Sequence, residues 1–542
     1  MATRPTSVSS STPYKYVVTG TNDPSKDNLT LQAASDAITT AGVADTIWMR
    51  GTFHTTVNIE FTRDATGTPV PISLRNFDGT AKARIQPGTV WRWGGSLNQM
   101  SYNWTPMVAA SNNTSKFQAA GLVASPQDWL IFQSNDIIPE CPWHTSQYAP
   151  KPLEIHQLLD KRSSDWDIDF SFADALTTNP QVAVIPMVSG IVIEGITFSV
   201  DTKSPAQSYY PITFTNCHNL RITGNFFGDE YGPGTLGLFN CAKVRIYGNN
   251  WESAQNWDGS YGYGVAVAGG NDVMIAENQW QGCRHILTTT NVNTNESDAR
   301  RGTCLKVVFH GNNVSRIGSG TAGTSGGLSS IDTHTEGFGV VISSNVVDIG
   351  ADGQASHAFN MRARNGVIRD NTVRGTTASI GFKLWGKSCT VQNNTFDTMY
   401  YGGQVSDVNV NTSTSYVPDG TLFVHNTFKN IVGEGIRLAQ AKNTTIANNT
   451  FDHVGYLPPS GRFGCHVHTP IGTTNSGYRI YQNVMPKNGN AYSIYADTQL
   501  ETAGWQVGNN TMMGYGTGKA GFGGTKTTAL EAAWAPFNTT GG

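Results

Sequence analysis

The sequence predicts an all-β solenoid of stacked coils, and three observations carry that prediction. Short segments of alternating apolar and polar residues recur along the chain, as expected of half-buried strands. One asparagine recurs after these segments at intervals of 23 to 34 residues, which is the period of a solenoid coil. Charged residues make up only 14% and glycine contributes 59 of 542 residues, a composition that favours short strands and tight turns.

Residues 1–60 are predicted to form an N-terminal leader and a capping helix. MATRPTSVSSSTPYKY lacks the apolar stretch of a secretory signal, so we expect none. NLTLQAASDAITTAG, residues 28–42, fits a short amphipathic helix that stops at glycine. TIWMRGTFHTTVNI, residues 46–59, fits a strand pair. Such a helix would cover the terminal apolar layer of a solenoid.

Three further segments complete the predicted organisation. Residues 61–185 should hold the first coils, interrupted over 120–180 by a large loop or insertion that lacks the asparagine repeat. The main solenoid is predicted over 186–515, and residues 516–542 as a C-terminal cap or tail in which TTALEAAWAPF covers the far end.

The asparagine repeat is predicted to form a buried ladder. Typical copies read LRITGNFF, VRIYGNNW and TTIANNTF. An asparagine at the same corner of each coil can hydrogen-bond the asparagines of the coils above and below, about 4.8 Å away. The repeated residues are Asn225, Asn249, Asn278, Asn312, Asn345, Asn371, Asn394, Asn426, Asn449, Asn483 and Asn510.

With this ladder, the chain resembles the right-handed, single-stranded parallel β-helix of the pectate-lyase-like superfamily, over roughly residues 20 to 515. The resemblance implies the fold. It is much less specific for chemistry, because this fold hosts lyases, hydrolases, epimerases and adhesins.

Charge and composition argue against several classes of partner. The net charge of −3 provides no basic field, so no nucleic-acid partner is expected. No window reaches the roughly 18 consecutive apolar residues of a membrane span, so no membrane partner is expected either. The seven cysteines lack CxxC spacing and are interpreted as small buried side chains of a reduced chain.

Candidate functional residues come from a second strand in each coil. In SSIDTHTEGFGVVISSN, the residues Asp332, His334 and Glu336 stand at every second position and are predicted to face solvent. Stacking would add outward side chains from the following coils. These are Asn360, Arg362, Lys383, Trp385, Arg437, His466 and His468. An exposed tryptophan beside cations suits a sugar ring and its carboxylate, so the candidates for substrate binding are Glu336, Asn360, Arg362, Trp385 and Arg437.

Two longer insertions are expected to wall a groove above these strands. They cover residues 291–303 and 408–420 and leave their coils at the same corner. Long loops on one face of a repeat protein are typical of its binding face.

CRHILTTT, residues 283–290, followed by DTH at 332–334, resembles a pairing in phage tail-spike and exopolysaccharide depolymerases. The resemblance implicates Arg284, His285, Asp332 and His334. It implies an acidic bacterial polysaccharide as partner, a virion-tail or extracellular location and, because such tail spikes are usually trimers, a homotrimer.

The residue types favour a lyase that cleaves by β-elimination. His334 would act as base and Asp332 would orient it. A cation must neutralise the substrate carboxylate, and Lys383, Arg284 or Arg362 could do so. His285 fits either proton-transfer role.

Two alternatives stay open. A glycoside hydrolase needs two carboxyl groups roughly 5 to 9.5 Å apart, but Asp332 and Glu336 are about 13 Å apart between Cα atoms, so the second acid would come from elsewhere, such as Asp298 or Asp407. A non-catalytic carbohydrate-binding adhesin is the other alternative.

No cofactor is expected. Calcium is the one metal that the sequence leaves open, because Asp332 and Glu336 could ligate it, although no D-x-[DN]-x-[DN]-G loop is present.

Overall fold

The computed structural model describes residues 16–19, 24–61, 70–86, 88–94, 102–136, 151–162, 165–200, 210–228, 234–252, 263–282, 285–289, 300–315, 329–334, 337–350, 357–405, 417–456, 465–469, 476–486, 492–496, 506–512, 520–522 and 525–526. The chain divides into two units, Met1–Val308 and Phe309–Gly542. The strand Cys304–His310 contains the boundary.

The first unit contains the helix Pro24–Ala41, four residues longer at its start than predicted. It ends where predicted, because Gly42 adopts a φ of 67° and its N–H donates to the carbonyls of Ile38 and Thr39. Leu31 and Ile38 are fully buried on one face, and the Ser35 hydroxyl donates to the Glu60 carbonyl at 2.9 Å. Among the described residues this is the one helix, and it is not long and apolar enough to cross a membrane.

Parallel strands make up the coils of the first unit. Corresponding residues stack in register, as where Ile222 pairs with Ile246 and Ile246 with Ile275. One sheet contains Tyr16–Thr19, Asp45–Arg50, Ile72–Asn76, Val188–Ser189, Val192–Glu194, Cys217–His218, Arg221–Thr223, Ala242–Tyr247 and Asn271–Ala276. The other contains Thr52–Thr55, Ile59–Phe61, Lys82–Ile85, Trp91–Trp93, Thr197–Val200, Ile212–Thr215, Phe226–Phe227, Gly234–Phe239, Asn250–Glu252, Tyr263–Ala268, Gln279–Gln281 and His285–Thr289.

The region predicted as a large loop or insertion, residues 120–180, joins strands from outside that range in a mainly antiparallel sheet with its own apolar core. Its strands are Thr105–Pro106, Lys116–Phe117, Trp129–Gln133, Lys151–Lys161, Trp166–Ile168, Gln181–Val184 and Arg300–Gly302.

A buried histidine links two carboxylates within this insertion by hydrogen bonds. His156 lies between Glu154, 3.0 Å from its Nε2, and Asp169, 3.3 Å from its Nδ1. Burial alone lowers the pKa of His156, but the hydrogen bonds to Asp169 and Glu154 outweigh it and raise the pKa above its ordinary value. Glu154 also accepts from the backbone N–H groups of Ala173 and Asp174, so this network fixes backbone and serves the fold.

In the described part of the second unit the strands fall into three sets, and the strands of each set pair in parallel from one coil to the next. The segments before the ladder asparagine are Gly337–Phe338, Val341–Ser343, Val367–Arg369, Thr390–Gln392, Leu422–Val424, Thr445–Ala447, Arg479–Tyr481 and Gln506–Gly508. Those after it are Asn313–Ser315, Val346–Asp348, Thr372–Arg374, Thr450–Val454, Val484–Met485 and Thr511–Met512. The third set, called the outer strands, comprises Ser329–Thr333, His357–Met361, Ile380–Leu384, Cys465–Thr469, Tyr492–Ala496 and Ala520–Phe522. Thr395–Val405 and Thr427–Leu438 each join the second and third segments, and Thr525–Lys526 pairs antiparallel with Ala520–Phe522.

The predicted parallel β-helix and its asparagine ladder are confirmed within each unit. All eleven ladder asparagines are at most 2% exposed. In the second unit the Nδ2 of Asn394 donates to Oδ1 of Asn426 at 2.9 Å and to the carbonyls of Ile368 and Gln392. Its own Oδ1 accepts from the backbone N–H and Nδ2 of Asn371. Each asparagine therefore closes its turn and joins it to the next one.

The residue before every ladder asparagine adopts the left-handed conformation, with φ between 54° and 63°. The residue is a glycine at Gly224, Gly248 and Gly311, but other residue types adopt the same conformation elsewhere, for example Ser344 and His425. The turn thus demands a backbone shape that most side chains resist, and the asparagine network holds it.

The core consists of side chains stacked from coil to coil. From Asn225 to Asn483, the residue two places after each ladder asparagine is buried, and Trp251 stacks on Trp280 at 3.9 Å between ring centroids while Phe428 stacks on Phe451 at 5.1 Å. The five described cysteines are buried and form no disulfide with one another, in line with the prediction of buried thiols.

Candidate functional site

Strand register in the second unit aligns six polar residues, which we call the outer row. Asp332 pairs with Asn360, Asn360 with Lys383, Lys383 with Gln404, Gln404 with Arg437 and Arg437 with His468. At about 4.8 Å per strand, the five steps span about 24 Å. The predicted alignment of Asp332, Asn360, Lys383, Arg437 and His468 is present, and Gln404 completes it.

The alternate residues of these strands face the core and are fully buried. They are Ile331, Thr333, Phe359, Met361, Phe382, Leu384, Ile436, Leu438, Cys465 and Val467.

Asp332, His334, Asn360 and Arg362 form one group, the Asp332 cluster. Oδ1 of Asp332 accepts from Arg362 Nη2 at 2.6 Å and from Asn360 Nδ2 at 2.9 Å. His334 Nε2 lies 3.5 Å from Oδ2 of Asp332, outside good hydrogen-bond distance.

The side chains of this cluster differ in their exposure to solvent. The side chains of Asp332, Arg362 and His334 are 8%, 14% and 30% exposed. The expectation that Asp332 faces solvent was therefore wrong, because its polar partners cover it, and His334 is the most exposed of these three side chains. Lys383 follows Asn360 in the row and is half-buried.

Two residues predicted to point outward are buried. Trp385, the predicted exposed sugar platform, is only 4% exposed, because the strand ends at Leu384 and the Trp385 N–H donates back to the Met361 carbonyl at 2.7 Å. His466 is fully buried against Phe451, with ring centroids 5.4 Å apart. Period-two alternation fails there because two consecutive residues, His466 and Val467, both face the core.

Arg437, predicted to bind substrate, belongs to a second group that the sequence did not reveal. Together with Tyr401, Glu434 and His468 it forms the Glu434 cluster. Strict alternation along EGIRLA assigns Glu434 to the core side, so its link to Arg437 was missed. The available signal was a carboxylate at a position that alternation buries, since buried carboxylates are normally paired.

The electrostatics of the Glu434 cluster follow from that burial. Burial raises the pKa of the Glu434 carboxyl, but His468 and Arg437 outweigh it and hold the pKa below its ordinary value. Burial and the Glu434 charge raise the pKa of the Tyr401 phenol, so Tyr401 stays neutral. Glu434 is therefore a charged acceptor next to two groups that reach the surface.

The remaining candidates divide between the two units and the undescribed segments. His285, in the first unit, is 2% exposed and stacks on Tyr263 at 5.3 Å. Arg284, Glu336, Asp298, Asp407 and most of both predicted groove-walling insertions lie outside the described residues.

In the described ranges, no group of three or more His, Cys, Asp or Glu side chains is arranged to hold a metal ion. Glu336, one of the two residues named as possible calcium ligands, lies outside those ranges.

No family model and no curated protein matches the chain. Solved structures do. The tailspike gp61 of Pseudomonas phage phi297 matches with a TM-score of 0.55 and 14% identity, over 93% of this chain and 76% of that one. The tailspike gp49 of Pseudomonas phage LKA1 gives a TM-score of 0.49 at 11% identity, over 92% and 74%. A mannuronic acid specific polysaccharide family 6 lyase from human gut microbiota gives 0.40 at 11% identity, over 66% and 82%. At such identities the likeness to gp61 shows the fold.

Proposed function

We propose that the outer row binds an acidic bacterial polysaccharide, of capsule or exopolysaccharide type, and cleaves it by β-elimination. The observation that carries the proposal is the register that places acid, amide, ammonium, guanidinium and imidazole groups along about 24 Å. A line of this length suits an extended polymer. The tailspike fold supports a place on a phage virion tail or outside the cell.

The Asp332 cluster supplies the parts that elimination needs. A uronate carboxylate must be neutralised before the neighbouring C–H proton can leave, and Lys383 and Arg362 provide the cations. His334, whose side chain is 30% exposed, takes the proton, and Asp332 holds Arg362 and Asn360 in place by hydrogen bonds.

Hydrolysis fits the described carboxylates less well. Asp332 and Glu434 are the described carboxylates of the two clusters, and four strand steps of about 4.8 Å, roughly 19 Å, separate their coils. A glycosidase pair stands roughly 5 to 9.5 Å apart.

The first test is incubation of the full chain with a panel of uronate-containing bacterial polysaccharides. A lyase creates a C4–C5 double bond and a rise in ultraviolet absorbance at each cut. New reducing ends without that absorbance would identify a glycoside hydrolase. Binding with neither signal would identify an adhesin.

The second test replaces His334 by Asn, whose amide cannot take a proton. The rate of absorbance gain is expected to fall, because His334 is the proposed base. His425→Asn is the matched control, since His425 is exposed, lies before a ladder asparagine and has a φ of 56° that asparagine tolerates. An unchanged rate in folded His334→Asn protein would remove His334 from the mechanism.

A further inference from the structure

The second unit carries the same set of three groups twice. The Asp332 cluster combines a buried carboxylate with Arg362 and His334. The Glu434 cluster combines a buried carboxylate with Arg437 and His468. In each set of three groups one member, Arg362 or His468, comes from the next coil, so the stacking of coils builds both sets.

The contact between carboxylate and imidazole is shorter in the Glu434 cluster than in the Asp332 cluster. Glu434 is 2% exposed, and its Oε1 lies 3.0 Å from Arg437 Nη1 and 2.9 Å from His468 Nδ1. The second oxygen, Oε2, lies 3.1 Å from Arg437 Nη1. By contrast, the carboxylate–imidazole distance in the Asp332 cluster is 3.5 Å.

This contact sets the tautomer of His468. A carboxylate only accepts, so Nδ1 carries the proton that Glu434 binds, and Nε2 lies on the opposite edge of the ring. The His468 side chain is 12% exposed. A carboxylate that accepts from Nδ1–H makes Nε2 the basic nitrogen of the ring.

Arg437 is held for a bound anion. Its guanidinium lies over the Tyr401 ring, 5.6 Å from the centroid, and Tyr401 pairs in register with Glu434. The Arg437 side chain is 15% exposed. Because Glu434 uses one edge of the guanidinium, a sugar carboxylate can approach another.

The two clusters are too far apart to act on one bond. Asp332 and His468 are separated by five strand steps of about 4.8 Å, about 24 Å in all. A group must stand within roughly 3 Å of the proton that it removes.

We propose that the Glu434 cluster is a second elimination centre for the same carboxylate-bearing polysaccharide, and this inference rests on the function proposed above. Arg437 binds the uronate carboxylate, and His468 Nε2 takes the C5 proton. The C5–H electron pair forms the C4–C5 double bond as the C4–O bond breaks. The imidazolium then returns its proton to the departing oxygen, so no other reactant is consumed. Glu434 is a positioning residue.

The test compares four proteins on a polysaccharide that the unaltered chain degrades with a gain of ultraviolet absorbance. They are the unaltered chain, His334→Asn, His468→Asn and the double variant. Two independent centres predict that each single variant keeps at least about a tenth of the rate and that the double variant loses it by about 100-fold or more. His425→Asn again serves as control.

The outcomes separate two failures. If His334→Asn is as inactive as the double variant, the Glu434 cluster is not an elimination centre. If His468→Asn is as inactive as the double variant, the chain has a single centre, and the inference of two centres also fails. If the unaltered chain gives no absorbance gain on any polysaccharide, the proposed function itself fails.

The positioning role of Glu434 has its own readout. In the His334→Asn background, Glu434→Gln removes the negative charge that favours the protonated imidazole. The acidic limb of the pH–rate profile is then expected to move to lower pH while the rate falls. A folded variant with an unchanged profile would show that Glu434 has only a structural role.

Discussion

The asparagine ladder and the outer row belong to the same coils of the second unit, yet one repeats a single residue and the other changes at every step. Each ladder asparagine must bond its copy in the coils above and below, so a different side chain breaks two turns at once. Outer-row side chains bond in local clusters instead, as Asp332 does with Arg362. Stacking therefore fixes the residue type at ladder positions, where each asparagine bonds an asparagine of the next coil. It leaves the residue type variable in the outer row, where different functional groups can stand side by side.

The largest expected effect comes from breaking the ladder. Asn394→Ala removes an amide that makes five hydrogen bonds in a buried turn. Because the orphaned partners stay buried, we expect the free energy of unfolding to fall by about 4 kcal/mol. Urea unfolding measures it, and the turnover of molecules that remain folded should stay within about twofold of the unaltered chain.

Asn313→Ala is the matched control for the ladder, since Asn313 is exposed on a strand of the same unit. It should leave stability nearly unchanged. Equal losses at Asn394 and Asn313 would contradict the distinction between ladder and surface asparagines.

A smaller effect is expected in the outer row. Glu434→Gln breaks a buried ion pair and should cost about 3 kcal/mol at neutral pH. The folded-state pKa of Glu434 lies below its ordinary value of 4.5, so its contribution is present above that pH and is lost as pH falls through the folded-state pKa. The free energy of unfolding, measured from neutral to acidic pH, should therefore fall more steeply in the unaltered chain than in the variant.

Asp452→Asn, at an exposed carboxylate of the same unit, should keep the acid loss of the unaltered chain. A Glu434→Gln variant with that same loss would show that other carboxylates carry it.

The smallest effect is a gain. Ser344 precedes a ladder asparagine with a φ of 56°. Glycine adopts this conformation without the cost of a Cβ, so Ser344→Gly should raise the free energy of unfolding by up to about 1 kcal/mol, partly offset by backbone entropy. Thermal unfolding against the unaltered chain measures it, and a clear loss of stability would mean that the serine side chain contributes more than its backbone strain.

The ladder was predictable because its bonds demand one residue type at a constant place. The helix ending at Gly42 was predictable for a local reason, since glycine alone enters the left-handed cap without strain. The outer row followed from alternation, and it held at Asn360 and Lys383.

Alternation failed just past the end of one strand and inside another. Trp385 follows the last residue of its strand, and His466 shares its inward direction with Val467, so counting by two gave the wrong side. Glu434 was hidden for a related reason. One partner, Arg437, stands three residues on, and the other, His468, comes from the next coil, so no local pattern joins them.

The ladder bonds of the second unit also have a direction. From Asn312 to Asn483, every Nδ2 donates to the Oδ1 of the following ladder asparagine and never the reverse. The amide dipoles therefore add along the column, with the positive end at Asn510, and each bond polarises the next. A coil inserted without its asparagine would split this column into two shorter ones, each with weaker bonds at the new ends.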